Sequence, residues 1–344
     1  RQVRLMGLRS YLLKRGLLSL FMLWLVATLN FVIFSAQRGN PVAYMLNWQM
    51  DPAAKEALLR SYGWYDSLPV KYAKYLGNMF TFGIIYPYFG WSIGTSRYIA
   101  DDMSWRMIIT VILLGSALVG RIIIGIPLGI FSASKRGTKW DVGVVGSALL
   151  TYGVPTFFIQ LLAILFFGKF LRDTYGIRIL ATSWGTPMIP GGAKTLEWWA
   201  SCVTQLTLPI LTLVIAAIGY WVLFTRNMLI DALTSDYVLT ARAKGISERT
   251  VLYKHAFRSI LPPISTMITL SLPGVVTGAI LTETIFGIEG IGKWYIASLN
   301  PALADYGVAQ AVLFIFATLV ILCNFIADVL YGVLDPRIRV GMRR

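Results

Sequence analysis

The sequence predicts an all-α integral membrane protein with six transmembrane helices, both termini in the cytoplasm and a long external loop after the first helix. Three observations predict this fold class. The chain is 56% hydrophobic and only 14% charged, whereas soluble domains are roughly 45–50% apolar and about 25% charged. The apolar residues gather into runs such as LLSLFMLWLVATLNFVIFSA (17–36), long enough to cross a bilayer as a helix. The basic residues are distributed unevenly between these runs.

The apolar runs define the predicted spans and the domain organisation. The spans lie at about 17–36, 107–131, 142–168, 205–225, 264–285 and 308–332. Segment 17–36 is too long for a signal peptide and lacks a small-residue cleavage site, so it is predicted to remain as the first span. Spans two to six form a core domain over 107–332, and the external loop 37–106 precedes it. The segments 1–16 and 333–344 are the predicted cytoplasmic ends.

The distribution of Lys and Arg gives the orientation. Eighteen of the 31 basic residues lie in four short segments: 1–16, 132–141, 226–263 and 333–344. Twelve lie in three segments with more residues in total: 37–106, 169–204 and 286–307. Because short cytoplasmic loops are enriched in basic residues, the first set is predicted to be cytoplasmic. The net charge of +15 therefore indicates topology and attraction to anionic membrane lipid, not a nucleic-acid partner.

Two features place further helices and aromatic residues outside the membrane. PAAKEALLRSYG (52–63) and VKYAKYLGNMF (70–80) have helical spacing and predict short external helices. Eight of the eleven tryptophans fall in segments predicted to be external. Indole rings favour the headgroup level, which indicates an aromatic belt, although the same rings could stack on sugars.

The sequence shows no recognisable set of residues for catalysis or for metal binding. Two cysteines, Cys202 and Cys323, and a single His255 have no usual metal-ligand spacing and no disulfide framework. No HExxH or GxSxG motif occurs. The sequence therefore predicts no enzyme and no cofactor in this chain.

The stretch FGIEGIGKW (286–294) comes within one residue of a nucleotide-binding loop. Its Gly287 and Gly292-Lys293 match G-x-x-x-x-G-K, but Trp294 stands where a hydroxyl should bind Mg²⁺. No strand is predicted before it, and the charge distribution places it outside the cell. We therefore expect no ATP at this stretch.

The longest cytoplasmic loop predicts two helices joined by a tight turn. Residues 236–244 suit a short helix that Gly245 ends. Ser247 is predicted to cap the second helix, with Glu248 in its first turn. Pro262-Pro263 is predicted to stop that helix at the membrane. A helical wheel places one apolar side on Leu252, Tyr253, Ala256, Phe257 and Ile260.

This loop carries a family resemblance. TARAKG (240–245), HAFR (255–258) and Leu261-Pro262 resemble the cytoplasmic EAA loop of ABC-importer permeases of the dipeptide/oligopeptide type. Leu239-Thr240-Ala241 stands where the general ABC pattern has Glu-Ala-Ala. Leu261-Pro262 comes four residues later than the Leu-Pro of that pattern. Both departures occur in the peptide-type branch. Further similar segments are YAKYLGN (72–78), IPLGIFSASKRG (126–137), TETIF (282–286) and YGVLDPRIR (331–339).

The resemblance implies a type I ABC importer permease fold and a division of labour. The chain would form half of a solute pathway with a second, similar permease. Two cytoplasmic ATPases would bind ATP and Mg²⁺, and an external solute-binding protein would deliver the solute, most often a dipeptide or oligopeptide and in some members an oligosaccharide or metal chelate. The implied ATPase-coupling residues are Asp236, Tyr237, Thr240, Ala241, Arg242, Ala243, Lys244, Gly245, Ser247 and Glu248.

Charged residues in or near the spans are candidate pathway residues, because an unpaired charge at the centre of a membrane helix costs at least about 2.5–3.5 kcal/mol. Arg121 could extend to the membrane surface or face the pathway and meet a substrate carboxylate. Glu283 could pair with Arg121, Arg106 or Lys293, and Asp328 is assigned a structural role. By resemblance, three glycines shape an external re-entrant turn near the pathway mouth: Gly287, Gly290 and Gly292.

Two other transport classes fit the sequence less well. A secondary transporter would show inverted repeats and acidic ion sites at the midplane, and neither is evident here. A channel would show a filter-like segment, which is also not evident. An ATP-driven importer permease is therefore the favoured interpretation.

Overall fold

The computed structural model describes residues 8–35, 51–61, 65–80, 90–92, 94–177, 179–185, 196–276, 280–301 and 305–334. Most of these residues are helical. In chain order the elements are α1 (Leu8–Ser35), α2 (Pro52–Ser61), α3 (Leu68–Phe80), β1 (Trp91–Ser92), β2 (Arg97–Tyr98), α4 (Ile99–Ser134), α5 (Lys139–Gly153), α6 (Thr156–Ile164), π1 (Leu165–Phe170), α7 (Leu171–Tyr175), α8 (Leu196–Leu233), α9 (Asp236–Ala243), α10 (Glu248–Thr250), π2 (Val251–Phe257), α11 (Arg258–Val276), α12 (Ile280–Phe286), α13 (Ile291–Ser298) and α14 (Tyr306–Leu334).

The described residues contain four unbroken helices that are long and apolar enough to cross a membrane. They lie in α1, α4, α8 and α14. Two bent pairs add up to two more spans: α5 with α6 to α7, bent by 94°, and α10 to α11 with α12, bent by 55°. The structure therefore has four to six candidate spans.

Several helices extend beyond the predicted spans. Helix α4 begins at Ile99, inside the segment predicted as an external loop, and α8 runs over Leu196–Leu233. Hydropathy marks only the part of a helix that lies in hydrocarbon, so polar turns at either end are missed. Inside the predicted span 142–168, the chain breaks at Val154-Pro155. Proline supplies no backbone donor and restricts the residue before it to extended conformations, which ends α5 there.

Some sequence predictions lie partly outside the described residues. Only parts of the predicted loops 37–106 and 169–204 are described, and residues 1–7 and 335–344 of the two ends are not. The two segments predicted to be short helices are helical, as α2 and α3. Their position outside the membrane stays a prediction.

The chain divides into two compact units, the first of which combines Arg1–Thr110, Val276–Ile280 and Glu289–Ile326. Its core is apolar and joins residues from α1, α3, α4, α13 and α14. The buried Asn30 donates to the Gln310 carbonyl at 2.9 Å. This bond ties α1 to α14, and a contact of 2.7 Å between the Thr28 and Tyr72 hydroxyls ties α1 to α3.

A two-residue hairpin in the first unit is held by one buried carboxylate. Trp91 pairs with Tyr98 in antiparallel β1 and β2. Asp305 accepts hydrogen bonds from the Ser92 hydroxyl at 2.7 Å and from the Gly94 N–H at 3.0 Å. Its second oxygen faces the first turn of α14, whose N-terminus favours a negative charge.

The second unit comprises Val111–Val275, Leu281–Ile288 and Ala327–Arg344, and α8 is its central helix. Of the most apolar window of α8, 56% is buried, against 17% for α1. Glycines allow α8 to approach its neighbours closely. A Cβ built on Gly219 would lie 2.0 Å from the Ala148 carbonyl oxygen of α5. A Cβ on Gly129 of α4 would lie 2.8 Å from the Val222 oxygen of α8. Small residues at helix contacts are the usual means of close packing in membranes.

We predict that Gly219→Ala lowers the stability of the protein by about 1–3 kcal/mol, because the new methyl group must push the backbones of α5 and α8 apart. The measurement is the midpoint of thermal unfolding of the purified protein in detergent. Gly146→Ala on α5 is the matched control, since its Cβ meets nothing within 4 Å. Alanine favours a helix over glycine by about 1 kcal/mol, so the control should be unchanged or slightly stabilised. Equal losses in both variants would contradict the close contact.

Candidate functional site

Residues 235–263 form two helices joined by a glycine turn. At the end of α9, the Gly245 N–H donates to the Arg242 carbonyl at 2.9 Å and the Ile246 N–H donates to the Ala241 carbonyl at 3.4 Å. These two bonds form a Schellman motif, with Gly245 at φ +73° in its left-handed position. The predicted helix end at Gly245 is therefore confirmed.

The start of the second helix differs from its prediction. Ser247 occupies the N-cap position of α10, but its side chain accepts no cap hydrogen bond and instead contacts the Thr250 hydroxyl at 3.0 Å. Glu248 accepts two bonds from Arg242 across the turn, at 2.8 and 3.2 Å. Both side chains are exposed, so this pair contributes little stability but fixes the spacing of the two helices.

The second helix widens into π2, which changes the side that it buries. Val251 and Ala256, five residues apart, are fully buried, and Ile260 follows on the same side. Tyr253 is 53% exposed, so the helical wheel was wrong to place it on one side with Ala256 and Ile260. A π-helix bonds residues five apart, whereas the prediction used the 3.6-residue period of an α-helix.

The predicted stop at Pro262-Pro263 is also wrong. Helix α11 continues through both prolines to Val276. A proline ring fixes φ near the helical value, so a helix can continue through it at the loss of one hydrogen bond. Membrane helices tolerate this loss when neighbouring groups satisfy the freed carbonyls.

Beneath the turn lies a buried apolar cluster, the loop core, which comprises Ile130, Ala133, Leu229, Val238, Ala241, Val251, Ala256, Ile260 and Ile264. It joins α9 and π2 to the cytoplasmic ends predicted for α4 and α8. Ala241, predicted to contact an ATPase, is only 6% exposed. Its side chain packs inside this chain, so its methyl group serves the close approach of α9 to its own neighbours.

The remaining predicted coupling residues form one exposed surface, the coupling face, which comprises Asp236, Tyr237, Thr240, Arg242, Ala243, Lys244, Gly245, Ser247 and Glu248. The Tyr237 hydroxyl lies 2.7 Å from the Ser259 hydroxyl. This contact joins the face to α11, as the loop core does from below. The coupling face is therefore attached at both sides to long helices.

A buried ion pair next to this region was missed by the sequence analysis. Both oxygens of Asp141 accept from Arg226, at 2.7 and 2.8 Å. Asp141 also accepts from the Ser132 hydroxyl at 2.6 Å and from the Gly137 N–H at 3.0 Å. The network joins the start of α5 and the α4–α5 turn to α8. The capping pattern Thr138-x-x-Asp141 could have revealed the helix start, but nothing local identifies Arg226 as the partner.

The candidate pathway residues of the second unit occupy different surroundings. Arg121 is half-buried and donates from Nε to the Leu213 carbonyl at 3.3 Å. Glu283 is fully buried in α12, next to Thr282, which accepts a hydrogen bond from Gln160 at 2.7 Å. Gln160 is another buried polar residue that the sequence analysis did not identify. Gly287 has φ +71° in the turn after α12.

In the first unit, Gly290 and Gly292 are buried at the start of α13. The adjacent Glu289 accepts from Arg106 at 2.6 Å and from Lys293 at 2.7 Å. Burial raises the pKa of the Glu289 carboxyl, but these two hydrogen bonds outweigh it and hold its pKa below the ordinary value. Lys293, the lysine of the phosphate-loop-like stretch, is thus engaged with a carboxylate.

Arg106 is itself enclosed by aromatic rings. Its guanidinium carbon lies 4.5 Å from the ring centre of Trp105 and 5.2 Å from that of Trp294. Such cation–π contacts stabilise a cation that is removed from water. The acid that Arg106 and Lys293 contact is Glu289, whereas the sequence analysis considered Glu283.

We predict a large coupling energy between Asp141 and Arg226, because removing one partner leaves the other as a buried, unpaired charge. Breaking such a pair costs about 3–5 kcal/mol. The free energy of unfolding in mixed micelles is measured for Asp141→Ala, Arg226→Ala and the double variant. The double variant should be far more stable than the sum of the stability losses of the two single variants would predict.

The exposed pair Glu56–Arg60 on α2 provides the control cycle, since its side chains are 55% and 71% exposed. We expect about 0.3–0.5 kcal/mol of coupling there. Equal coupling in the two cycles would refute the structural importance of the buried pair.

Comparison with known proteins gives the family. The profile of the family described as "Binding-protein-dependent transport system inner membrane component" matches residues 125–340, which include the loop core and the coupling face. The chain is 32% identical to the oligopeptide transport system permease protein AppB of Bacillus subtilis, over 96% of this chain and 99% of that protein.

Two dipeptide transport system permease proteins named DppB are similar over most of their length. The protein of Lactococcus lactis is 32% identical, with 96% of this chain and 99% of that protein covered. The protein of Escherichia coli K12 is 30% identical, with 91% and 94% covered. With its apolar helices, the chain is a multi-pass protein of the cell membrane. It belongs to the binding-protein-dependent transport system inner membrane component family, within the dipeptide/oligopeptide-type permease subunits of ABC importers.

Proposed function

We propose that this chain is the transmembrane subunit of an ATP-driven importer and forms half of its solute pathway. The observation that carries the proposal is the coupling face, a polar surface fixed on a buried apolar core. A surface that transmits force must move as one piece with the helices behind it. The Tyr237–Ser259 contact and the loop core supply that attachment.

The partners follow from the family. Two cytoplasmic ATPase subunits bind ATP and Mg²⁺, and each docks on the coupling face of one permease. A second, homologous permease completes the pathway, and an external solute-binding protein delivers the solute. The charges of Arg242, Lys244 and Glu248 on the coupling face suit a polar, separable contact with an ATPase. ATP-driven closure of the ATPases moves α9, and α8 and α11 carry this motion into the membrane.

The proposed topology has six spans and both termini in the cytoplasm. Four unbroken helices and two bent pairs supply the six spans. The basic residues support the orientation, since eighteen of them fall in the four segments proposed to be cytoplasmic. In this topology α2, α3 and the hairpin belong to the external loop 37–106.

The proposed solute is a dipeptide or oligopeptide. The support is the names of the relatives, an oligopeptide permease and two dipeptide permeases. The same role with an oligosaccharide or a metal chelate is the alternative. The binding protein is the partner that selects the solute first, so a titration of that protein with peptides and with gluco-oligosaccharides separates the two solute classes.

We predict that Gly245→Trp abolishes ATP-driven uptake while the protein still reaches the membrane. A Cβ at Gly245 meets nothing within 4 Å of this chain, so the indole does not disturb the loop core and instead projects from the coupling face. The measurements are solute uptake into vesicles, ATP hydrolysis by the complex and the amount of chain in the membrane.

Gly245→Asn is the matched control, because asparagine tolerates the left-handed backbone that position 245 requires. It should retain uptake, which separates added bulk from backbone strain. Normal uptake by Gly245→Trp would refute the coupling role. Uptake by the purified chain without any co-purifying ATPase would instead indicate a secondary transporter.

A further inference from the structure

A cavity of about 470 Å³ lies within the second unit, beside the break between α5 and α6. Its lining includes Arg121 of α4, Tyr152, Pro155 and Thr156 at the break, and Tyr220 of α8. Arg121 and Tyr220 lie well inside helices that can cross a membrane. In the proposed topology the cavity therefore lies at the level of the hydrocarbon core of the membrane, where polar groups are costly.

Arg121 is the charged residue of this lining, which contains no carboxylate. Its Nε donates to the Leu213 carbonyl at 3.3 Å. Within the described part of the chain, its two terminal nitrogens have no hydrogen-bond acceptor. A guanidinium offers five N–H donors in a planar fork that matches a carboxylate. The Leu213 carbonyl thus holds the guanidinium at Nε, and its terminal N–H donors remain available to a ligand in the cavity that Arg121 lines.

The helix break adds backbone N–H donors, which also favour a negatively charged ligand. At Pro155 the chain turns by 94°, and α6 begins with Thr156. The Phe158 and Ile159 N–H groups both use the Pro155 carbonyl. The two N–H groups before them, those of Thr156 and Phe157, have no acceptor within their own helix. The positive end of the α6 dipole therefore lies beside the guanidinium, and both favour an anion.

Aromatic rings form another part of the cavity lining. Tyr152 stacks on Tyr220, with ring centres 6.3 Å apart and planes at 25°. Both rings are exposed, and within the described residues their hydroxyls make no hydrogen bond. Trp221, also in the lining, is buried behind them. A flat apolar wall with free hydroxyls next to a cation suits a short organic acid, whose carbon skeleton lies against the rings.

We propose that this cavity binds the carboxylate of the transported solute, with Arg121 as its cation. The inference rests on the proposed import function and adds the chemical class that the pathway recognises: a solute with a free carboxylate, such as the C-terminus of a peptide. Of the two roles considered for Arg121, the proposal adopts the one in the pathway, because Arg121 lines a cavity.

The test compares the uptake of one dipeptide with that of its C-terminal amide by the complete complex with its binding protein. For each substrate, the uptake rate of the variant is divided by that of the wild type, so that the preference of the binding protein for acid or amide cancels. Arg121→Met should reduce uptake of the free acid by about tenfold or more, the loss of one charge-assisted hydrogen bond. Uptake of the amide should change little. Arg121→Lys keeps the charge and should retain part of the preference.

Arg172→Met is the matched control, because it removes an arginine that lies on α7 outside the cavity. It should leave both rates unchanged. Equal losses for acid and amide in Arg121→Met, in protein that reaches the membrane at a normal level, would overturn the proposal. Unchanged uptake of both would overturn it as well.

A second readout separates this proposal from the transport function. A dipeptide with a benzophenone side chain is photolysed with the complex, and labelled residues are identified by mass spectrometry. We expect labelling near Tyr152 and Tyr220 that depends on Arg121 and on the free carboxylate. If no peptide is taken up yet this labelling occurs, the transport function fails and the site stands. Equal labelling by the acid and by the amide would refute the carboxylate site. Gluco-oligosaccharides that reduce the labelling as strongly as unlabelled dipeptide does would refute it as well.

Discussion

The structure depends on one constraint of its solvent: inside a bilayer every backbone N–H and C=O must be satisfied within the protein. This constraint makes the described chain helical and makes a break between helices costly. The break at Val154-Pro155 is therefore informative. The unit places a guanidinium and two tyrosine hydroxyls beside it. Irregular backbone is tolerated in membrane proteins where it lines a cavity, and the residues of this break do line one.

Close helix contacts and a buried ion pair give the second unit its stiffness. Glycines bring α8 against α4 and α5 with backbone in contact, and the ion pair of Asp141 and Arg226 joins α5 to α8 next to the Gly129 contact. Close packing transmits displacement, because a dense interior has little room to absorb it. The coupling face is attached to this stiff assembly by the loop core. Its small and polar exposed groups are consistent with a partner that docks and separates.

The features that the sequence predicted correctly are those with local causes. Gly245 ends α9 because only a few residues accept its left-handed backbone, and that requirement is visible in the sequence alone. The joint burial of Val251 and Ala256 depends on π2, whose bonds between residues five apart shift the register of the helix. Asp141 pairs with Arg226, which lies 85 residues further along the chain. Helical periodicity carries no information about such pairs, nor about which carboxylate would meet Arg106.

The placement of Arg121 has a consequence for energy conversion. A cell with a negative interior opposes the entry of an anion by about 2.3 kcal/mol for each charge and each 100 mV. A fixed cation part of the way across lowers the electrostatic cost of bringing a carboxylate to that depth. A peptide that carries one positive and one negative terminus has no net charge, so the voltage does little net work on its transfer. At the proposed site, Arg121 would therefore lower the local cost of holding the carboxylate, while the membrane voltage contributes little to the net uptake of a zwitterionic peptide.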